Sequence, residues 1–399
     1  MEISEAKRLV IEAGEKLVEA GLIARTWGNV SCRVDDKTFV ITPSGKPYIG
    51  LTPDDIVEVG IEDLAWSGDV KPSSEKGVHA EVYKEYPEAN FVIHTHQKIA
   101  SAVSTFSSGI KSIAGEAKKI IGENVLLADY GLPGTGKLKA GVTKALKLSP
   151  SKALIMAHHG TVCFGKDSAE AFEVASCLEK VCAEYILNGA RVKLGIIANN
   201  LDEFCDKVAK KLAGADISTD VDKNELYNST CDRENGRIVL TNQATGKEVY
   251  MDLKSGAAND EVSDTAKAHR SVYLASSKMN YIIHNSDRET VAVSLIGKTM
   301  KPLIDDFSQI CGTKIKVAKT PKACGRAIKR KNAVLLKGKG ALCCGGNEGD
   351  AQAVDMIMSK SSLAMLATKT NEPAKPINPV EALLMRVIYL KKYSKQAKK

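Results

Sequence analysis

The pattern of apolar and polar positions predicts a helix followed by a hairpin at the start of the chain. The segment MEISEAKRLVIEAGEKLVEAGL alternates charged and apolar residues at helical spacing, which predicts an amphipathic helix. Short apolar runs at 30–34 and 39–41 flank the polar turn VDDK and therefore predict two antiparallel strands. Further on, an apolar helical stripe starts at Asp167, and the stop signal Asn188-Gly189 predicts its end.

The most informative stretch is 71–96, KPSSEKGVHAEVYKEYPEANFVIHTH. Its first half carries apolar and aromatic residues at helical spacing, behind Ser73 and Ser74 and ahead of Pro87. One of the two serines is therefore predicted to cap a helix that ends before the proline. Glu75 would then lie in the first turn of that helix.

The second half of this stretch predicts a strand that ends in two histidines. The apolar run 91–93 leads directly into His94-Thr95-His96. Because side chains alternate between the two faces of a strand, both imidazoles are expected on one face, within reach of a single metal ion. Together with the Glu75 carboxylate they make three candidate ligands for a borderline metal such as zinc.

A further histidine pair follows a predicted strand at 153–157. His158 and His159 are adjacent, and neighbouring residues on a strand point to opposite faces. One of them is therefore predicted to join the metal site and the other to form hydrogen bonds elsewhere. Three imidazoles with one exchangeable carboxylate leave room for substrate oxygens, which is the arrangement of a catalytic zinc site.

Three loops carry small residues and hydroxyl groups, at Gly28-Asn29, at Ser44-Gly45 and at Ser73-Ser74. Taken singly, each is ordinary turn chemistry. Small residues also let backbone amides and hydroxyls approach an anion, and a helix that begins beside the third loop would add the positive end of its dipole. The three loops are therefore also candidates for a cradle around one phosphate group.

The segment GLPGTGKL at 131–138 is close to a nucleotide-binding P-loop and follows a predicted strand at 125–128. It departs from that motif at two functional positions. Leu138 lacks the hydroxyl that would bind magnesium, and Pro133 removes one amide from the phosphate cradle. Nucleotide binding is kept only as a third hypothesis, which predicts that Lys137→Ala would lose affinity for ATP.

Length and composition are those of an ordinary globular chain. With 399 residues, 44% of them hydrophobic and 26% charged, the chain can bury two domain cores. Neither a signal-peptide core nor an apolar run of roughly 20 residues is present, so a cytoplasmic location without a membrane partner is expected. The ten cysteines follow no regular framework and are expected to be buried thiols.

The formal net charge of +8 favours anionic substrates such as sugar phosphates, or it reflects a solvated surface with a basic tail. Aromatic residues make up 5% of the chain, and no basic stretch is interleaved with aromatics. Nucleic acid is therefore not expected as a partner.

Five motifs together resemble the class II aldolase/adducin family, in the family's order and spacing: GNVS at 28–31, TPSG at 42–45, KPSSE at 71–75, HTH at 94–96 and HHG at 158–160. The resemblance implies an α/β fold with a central, mainly antiparallel sheet flanked by helices. It implies that His94, His96 and His159 bind Zn²⁺, and that Glu75 is first a ligand and then the catalytic base. It places the phosphate contacts at Gly28, Asn29, Ser44, Gly45, Ser73 and Ser74.

The function implied by this resemblance is a zinc-dependent aldolase. Such a lyase cleaves a ketose 1-phosphate to dihydroxyacetone phosphate and an aldehyde through a metal-stabilised enediolate. Aldolases of the family also use a tyrosine from a neighbouring subunit as proton donor, whereas this chain has Gly115 or Glu116 near that position, and Tyr130 aligns elsewhere. A phosphosugar dehydratase, decarboxylase or epimerase at the same site is the first alternative, and a non-catalytic adducin-like assembly module is the second.

The second half of the chain repeats the first. Residues 272–273 and 281–286 repeat 82–83 and 91–96. Likewise, AVLLKGKG at 333–340 repeats ALIMAHHG at 153–160. An internal duplication accounts for both matches. We therefore predict one aldolase-like domain over 1–200, a second copy over 201–370, and a helical extension with a basic tail over 371–399.

The second copy is predicted to have lost the metal. Through the repeat, the positions of Glu75, His94, His96 and His159 become Thr265, His284, Ser286 and Lys339. One imidazole cannot hold a catalytic zinc, so one Zn²⁺ per chain is expected, in the first copy only. Lys337 and Lys339 would place positive charge where the ion would lie.

Two further expectations follow from the repeat. His79 and its counterpart His269 stand outside the ligand set, and both are predicted to be structural. The family assembles as rings, so a tandem chain is expected to form a homo-oligomer in which two chains make a four-unit pseudo-ring.

Overall fold

A computed structural model gives the fold, and it describes residues 1–23, 27–214, 221–369 and 374–393, with side chains to residue 391. The predicted basic tail beyond residue 393 lies outside the described residues. The chain divides into two compact units, the first built mainly from Met1–Ile186 and the second mainly from Leu187–Asn371 and Lys375–Tyr389. The domain limits predicted from the sequence stay a prediction.

The first unit contains a seven-stranded sheet with flanking helices among its described residues. Its strands are β1 (Asn29–Arg33), β2 (Thr38–Ile41), β3 (Val57–Gly60), β4 (Phe91–Thr95), β5 (Leu126–Ala128), β6 (Ala153–Met156) and β7 (Gly160–Gly165). Its helices are α1 (Ile3–Glu19), α2 (Lys76–Glu85), α3 (Lys98–Val103), α4 (Gly115–Ile120), α5 (Gly136–Leu146) and α6 (Ser168–Leu194).

The strand order in this sheet is β3-β2-β1-β4-β7-β6-β5. Only the edge pair β5 and β6 is parallel, and the other neighbours are antiparallel. The predicted hairpin is therefore confirmed as β1 and β2. The central strand β4 pairs with β1 on one side and β7 on the other, which places Asn29 and Val162 opposite His94.

A buried apolar core fixes α2 and α5 against one face of the sheet. The sheet contributes Phe39, Val92, Leu154 and Val162, and the two helices contribute Val78, Val82, Tyr83, Leu138 and Val142. Burial of such side chains stabilises a domain by roughly 1.5–3 kcal/mol each. The start of α2, where Glu75 lies, is thereby fixed next to the end of β4, which carries His94.

The second unit has the same architecture. Its strands are β8 (Tyr227–Asp232), β9 (Arg237–Asn242), β10 (Glu248–Asp252), β11 (Tyr281–Asn285), β12 (Val317–Ala318), β13 (Ala333–Leu336) and β14 (Gly340–Gly345). Its helices are α7 (Leu201–Ala213), α8 (Asp264–Ala275), α9 (Arg288–Ile296), α10 (Pro321–Ala327), α11 (Glu348–Ala367) and α12 (Pro379–Ile388). The strand order β10-β9-β8-β11-β14-β13-β12 repeats that of the first sheet.

Both sheets are mixed and mainly antiparallel, which confirms the predicted fold class. The predicted thiols are also found, since all ten cysteines are free and all but the half-buried Cys177 are buried. Within the described part of the chain, no helix combines the length and the apolar character needed to cross a bilayer.

Three local predictions differ from the structure. The helix α2 begins at Lys76, so its N-cap residue is Glu75 and not Ser73 or Ser74, and Glu75 does not lie in the first turn. His158 and His159 lie in the tight turn between β6 and β7 and not at the end of a strand. The helix α6 passes through Asn188-Gly189, because the residues on either side, Ile186 and Ala190, are buried and their packing outweighs a glycine cost of about 1 kcal/mol.

Candidate metal centre

Four side chains that are distant in sequence meet at one end of the first sheet. His94 lies near the end of β4 and His96 follows that strand, His159 lies in the turn before β7, and Glu75 caps α2. One potential ligand atom from each residue lies within 4.8 Å of those of the other three. The structure therefore brings together all four residues that the sequence singled out as metal ligands.

Three pairs of potential ligand atoms in this cluster are in close contact. The Nε2 atoms of His94 and His96 are 2.9 Å apart. The two oxygens of Glu75 divide between the other contacts, with Oε2 at 3.0 Å from His94 Nε2 and Oε1 at 2.9 Å from His159 Nε2. Two ligands bound tetrahedrally at the usual Zn–N distance would lie about 3.3 Å apart, close to these separations.

The orientation of His94 is set by its second nitrogen. His94 Nδ1 donates a hydrogen bond to the backbone carbonyl of Thr161, at 2.8 Å, on the neighbouring strand β7. This bond leaves Nε2 unprotonated and directed at the other ligands, which is how metal-binding imidazoles are held in proteins.

Glu75 is charged in this environment. Its side chain is 8% exposed, and burial by itself would raise the pKa of its carboxyl group. The imidazoles of His159 and His94 outweigh burial and hold that pKa well below its usual range. A buried carboxylate facing imidazole nitrogens is a donor set that a divalent ion accepts, so this cluster can hold a metal ion.

The turn between β6 and β7 decides which histidine of the pair joins the cluster. His158 has a positive φ of 60°, and its amide donates to Ser104 O at 2.9 Å. Its ring meets the ring of Tyr130 edge-on at 5.3 Å. His159 is 2% exposed and faces Glu75, so it is the histidine of the pair that joins the cluster.

The loops predicted to bind phosphate adjoin one another. Ser44 N donates to Lys71 O at 2.9 Å, and Ser73 N donates to Thr42 O at 3.1 Å, so the second and third loops are joined by backbone bonds. Gly28 has a φ of 80°, and a Cβ there would clash with the backbone carbonyl of His94. The structure therefore gathers these loops beside the metal cluster, while their phosphate contacts stay a prediction.

Asn29 makes contacts that the sequence did not predict. Its Nδ2 donates to Glu75 Oε2 at 3.2 Å, and its Oδ1 accepts a hydrogen bond from Nε2 of His79. His79 is one helical turn beyond Glu75 on α2. The i, i+4 spacing of Glu75 and His79 was the one signal in the sequence for their proximity, because such residues share a helix face.

A cleft of about 240 Å³ opens beside Glu75, and Ser74, Gly134, Thr135 and Lys139 also line it. The P-loop-like segment therefore lines a cleft that Glu75 also lines. The conformation of this segment argues against a separate phosphate-binding loop. Gly131 packs against the backbone amide of Leu138 near the start of α5, where a phosphate group would have to lie.

Near the family's proton-donor position the structure has an exposed helix start. Gly115 opens α4 with a φ of 62°, and Glu116 forms an exposed ion pair with Lys119 at 2.8 Å. Neither side chain offers a phenol, as the sequence indicated.

The equivalent positions in the second unit hold different chemistry. Lys339 forms an ion pair with Glu225, and Thr265 Oγ1 donates to the carbonyl of Glu225. His284 Nε2 donates to the backbone carbonyl of Lys339 at 2.6 Å. Lys337 is exposed, so of the two lysines only Lys339 is placed at the former ligand position.

Comparison with known proteins was made by sequence and by structure. The family model described as Class II Aldolase and Adducin N-terminal domain matches residues 8–186 and again 229–366. The L-fuculose phosphate aldolase of Methanocaldococcus jannaschii is 31% identical over 182 residues, 46% of this chain and 96% of that protein. The 5-methylthioribulose-1-phosphate/5-deoxyribulose-1-phosphate aldolase of Rhodospirillum rubrum is 30% identical over 176 residues, 44% of this chain and 78% of that protein.

Among solved structures, l-fuculose-1-phosphate aldolase from Thermus thermophilus matches with a TM-score of 0.41 and 27% identity, over 48% of this chain and 97% of that one. The family model covers both halves of the chain, and the two sheets share one strand order, so the fold is present in two copies. With its candidate metal site in the first copy, the chain belongs to the class II aldolase and adducin N-terminal domain family.

Proposed function

We propose that this protein is a zinc-dependent lyase that cleaves a ketose 1-phosphate to dihydroxyacetone phosphate and an aldehyde. One observation carries the proposal: Glu75 and three imidazoles, from His94, His96 and His159, converge with their potential ligand atoms within 4.8 Å of one another. The two sequence relatives are both named as aldolases of phosphorylated sugars, which supports the same substrate class here.

The three histidines and Glu75 are the residues that would hold the ion. When bound, Zn²⁺ supplies a Lewis acid for the carbonyl and hydroxyl oxygens of the substrate. One ion per chain is expected, in the first copy only. Manganese and iron accept similar ligands, and the preference for zinc rests on the three imidazole nitrogens in the set.

Glu75 has the role of the catalytic base. Its carboxylate is ionised, and Glu75 is one of the residues that line a cleft, so we assign to it the proton that is taken from substrate carbon and returned. Its close contacts with His94 and His159, and the hydrogen bond that it accepts from Asn29, hold it in place before substrate enters. No Schiff-base lysine is required by this scheme.

The phosphate end of the substrate is assigned to the three adjoining loops. Ser44 and Gly45 lie in the second loop and Ser73 and Ser74 in the third, where the start of α2 adds the positive end of a helix dipole. Gly28 and Asn29 come from the first loop. Asn29 has a hydrogen bond to Glu75 as well, so it would connect the phosphate loops to the base.

A second reaction type at the same site is favoured by one observation. The position of the family's proton-donating tyrosine falls at Gly115 or Glu116, and α4 exposes Glu116 to solvent. Dehydration, decarboxylation or epimerisation of a phosphosugar would need the metal and Glu75 but not that phenol. An adducin-like assembly role would need neither the metal nor Glu75.

The deciding experiment measures metal content and product together. Zinc is quantified in the wild type and in His96→Ala, and release of dihydroxyacetone phosphate is assayed from a panel of ketose 1-phosphates. The proposal predicts about one zinc per chain, loss of the zinc in His96→Ala, and cleavage by the wild type only.

Other results separate the alternatives. Zinc without cleavage of any ketose 1-phosphate would exclude the aldolase and leave the dehydratase, decarboxylase and epimerase reactions. A wild-type chain that binds no divalent metal would exclude all of these and leave an assembly module.

A further inference from the structure

A continuous chain of buried hydrogen bonds leads from the core of the first unit to Glu75. Tyr83 Oη lies 2.7 Å from Ser31 Oγ, which lies 2.6 Å from His79 Nδ1. His79 Nε2 bonds to Asn29 Oδ1, and Asn29 Nδ2 lies 3.2 Å from Glu75 Oε2. The five side chains are each at most 8% exposed.

Only one direction of donation satisfies every member of this chain. The Glu75 carboxylate accepts only, so Asn29 must turn Nδ2 toward it and Oδ1 toward His79. Asn29 Oδ1 also accepts only, so the ring of His79 must carry its proton on Nε2. Burial lowers the pKa of His79 to about 3, which leaves the ring neutral with that single proton. Ser31 then donates to Nδ1, and Tyr83 donates to Ser31.

The second unit retains the inner part of this chain and lacks the outer part. Ser229 Oγ lies 2.7 Å from His269 Nδ1 and 2.8 Å from Tyr273 Oη, as in the first unit. The residue two positions before the serine is Tyr227 in place of Asn29, and Thr265 stands in place of Glu75. Among the described residues, Nε2 of His269 has no hydrogen-bond partner.

This comparison separates two roles of the same histidine. The bonds among serine, histidine and tyrosine occur in both units and therefore belong to the fold. The bond from the histidine to an asparagine occurs only in the first unit, where the asparagine in turn donates to Glu75. We propose that His79 is a positioning residue that acts through Asn29 to hold Glu75 against His94 and His159, whereas His269 has a structural role alone.

The proposal rests on the proposed function, because Glu75 must be both ligand and base for its orientation to affect the reaction. Without the proton from His79, the Asn29 amide is free to rotate and present Oδ1 to the carboxylate, which repels it. Glu75 would then occupy the orientation toward the two imidazoles for a smaller fraction of time. Zinc affinity and kcat should therefore both fall.

The test compares His79→Phe with the matched control His269→Phe. Both variants break the serine–histidine–tyrosine bonds, so both should lower the melting temperature by similar amounts. Only His79→Phe should raise the Kd for zinc about tenfold and lower kcat about 10- to 100-fold. In His79→Gln the side-chain amide replaces the Nε2 proton, and this variant should recover most of both losses.

A double-mutant cycle tests the route through Asn29. If His79 acts through Asn29, His79→Phe should have no further effect on zinc affinity in an Asn29→Ala background. Equal effects of the two phenylalanine variants on folded protein, or full additivity in the cycle, would overturn the proposal. The zinc measurements need no substrate, so they would still test the role of His79 if the aldolase assay failed.

The helix α12 carries a second, independent inference. Every exposed side chain from residue 380 to 390 is apolar, and these are Val380, Leu383, Leu384, Val387, Ile388 and Leu390. The opposite face is anchored to the second unit, where Arg386 Nη1 donates to Gln309 O at 2.6 Å and Ile310 O at 2.7 Å. The exposed face of a surface helix is normally polar, so this face indicates a contact with another surface.

Its shape and charge fit a second copy of itself. Six such side chains expose on the order of 500 Å² of apolar surface, the upper range for a monomer. Pairing two copies would bury at most about 1,000 Å², which fits a weak, concentration-dependent association. In an antiparallel pair, Glu381 near one end of the helix would meet Lys391 near the other end of its partner, and the helix dipoles would oppose favourably.

We infer that α12 pairs antiparallel with α12 of a second chain. Light scattering over a range of concentrations should show a smaller mass for Leu384→Glu than for the wild type. The control Leu274→Glu changes a leucine that is 54% exposed on α8 and should leave the mass unchanged. Glu381→Lys and Lys391→Glu should each weaken the assembly, and the two changes combined should restore it.

Two outcomes would overturn this inference. One is an unchanged mass in Leu384→Glu, and binding of the wild type to vesicles of anionic lipid would then identify the face as a membrane-binding surface. The other is failure of the charge swap to restore assembly, which would exclude the antiparallel arrangement.

Discussion

The first and second units share one sheet topology, yet among the described residues only the first unit brings together three histidines and a glutamate that could bind one metal ion. Both have the same strand order, and both bury a serine, a histidine and a tyrosine in hydrogen bonds between the sheet and a helix. At the ligand positions the second unit has Thr265, Ser286 and Lys339. The comparison shows that the interactions that hold the fold are separable from those that make the site.

A further shared feature stabilises the backbone at a helix end. Arg33 donates to the carbonyls of Tyr83 and Tyr86 at the end of α2, and Arg233 does the same for Tyr273 and Ser276 at the end of α8. The last carbonyls of a helix have no partner within the helix, and leaving them unpaired costs free energy; these arginines bond to them in both copies. These arginines were therefore retained whether or not a metal site was present.

The lost features were replaced by groups that satisfy one another. The Lys339 ammonium pairs with Glu225, and the one retained histidine, His284, bonds to the Lys339 carbonyl. In the first unit the equivalent His94 bonds to Thr161 through Nδ1 and keeps Nε2 for the cluster. These side chains of the second unit are therefore engaged with one another and with the backbone at this end of the sheet.

The largest expected effect comes from removing a ligand in one copy and its counterpart in the other. His159→Ala should lose the bound zinc and lower activity by about 1,000-fold or more, because the remaining ligands no longer hold the Lewis acid in place. Lys339→Ala breaks only a half-exposed ion pair, so the zinc content and the activity should each stay within a factor of about two of the wild type. Metal analysis with two ions per chain in the wild type would contradict the difference between the copies.

The next effect separates the base from the ligand. Glu75→Gln keeps the shape of the side chain but cannot accept a proton, so kcat should fall about 100- to 10,000-fold. The three imidazoles of this variant should still bind some zinc. Thr265→Val at the equivalent position should leave kcat unchanged, and steady-state kinetics with zinc analysis checks both variants. A Glu75→Gln enzyme with normal kcat would exclude this residue as the base.

Two glycines provide a test in which the copies should behave alike. A Cβ at Gly160 would clash with the carbonyl of Thr95, and one at Gly340 with the carbonyl of Asn285. Gly160→Ala and Gly340→Ala should therefore each cost about 3 kcal/mol or prevent folding of their unit. Gly136→Ala, where a Cβ meets nothing within 4 Å, is the control and should cost less than about 1 kcal/mol in denaturant unfolding.

The last expected effect, no larger than that at the two glycines, is a pH dependence of stability in the second unit. Burial lowers the pKa of His284 to about 4, against about 6.5 in an unfolded chain. The folded state binds fewer protons in that window, so the stabilisation is complete above pH 6.5 and is lost as the pH falls toward 4, by about 3 kcal/mol. Denaturant unfolding of wild type and His284→Gln at pH 7 and pH 4.5 should show a smaller loss in the variant; equal losses would exclude His284 as the source.

Much of the fold was predictable from local patterns. The hairpin of β1 and β2, the strand β4 and the helix α2 each follow from an apolar periodicity of two or of about 3.6 residues. The exceptions were places where tertiary packing outweighs local preference. The helix α6 continues through Asn188-Gly189 because buried neighbours favour it, although the dipeptide alone predicts a stop.

The candidate site was predictable as a set of residues but not as a geometry. The motifs at 71–75, 94–96 and 158–160 named Glu75, His94 and His96 and left the choice between His158 and His159 to the family resemblance. The positive φ of His158 made that choice in the structure, because the turn sends adjacent side chains in different directions.

The sequence by itself determined the order of the elements, the internal repeat and the identity of the candidate ligands, since these depend on periodicity and residue type. Tertiary structure alone decided that Asn29 and His79 stand behind Glu75, and that Lys339 pairs with Glu225. These contacts join residues that are far apart in the chain or on different elements. Their geometry is set by strand register and helix packing, which a linear pattern of residue types does not encode.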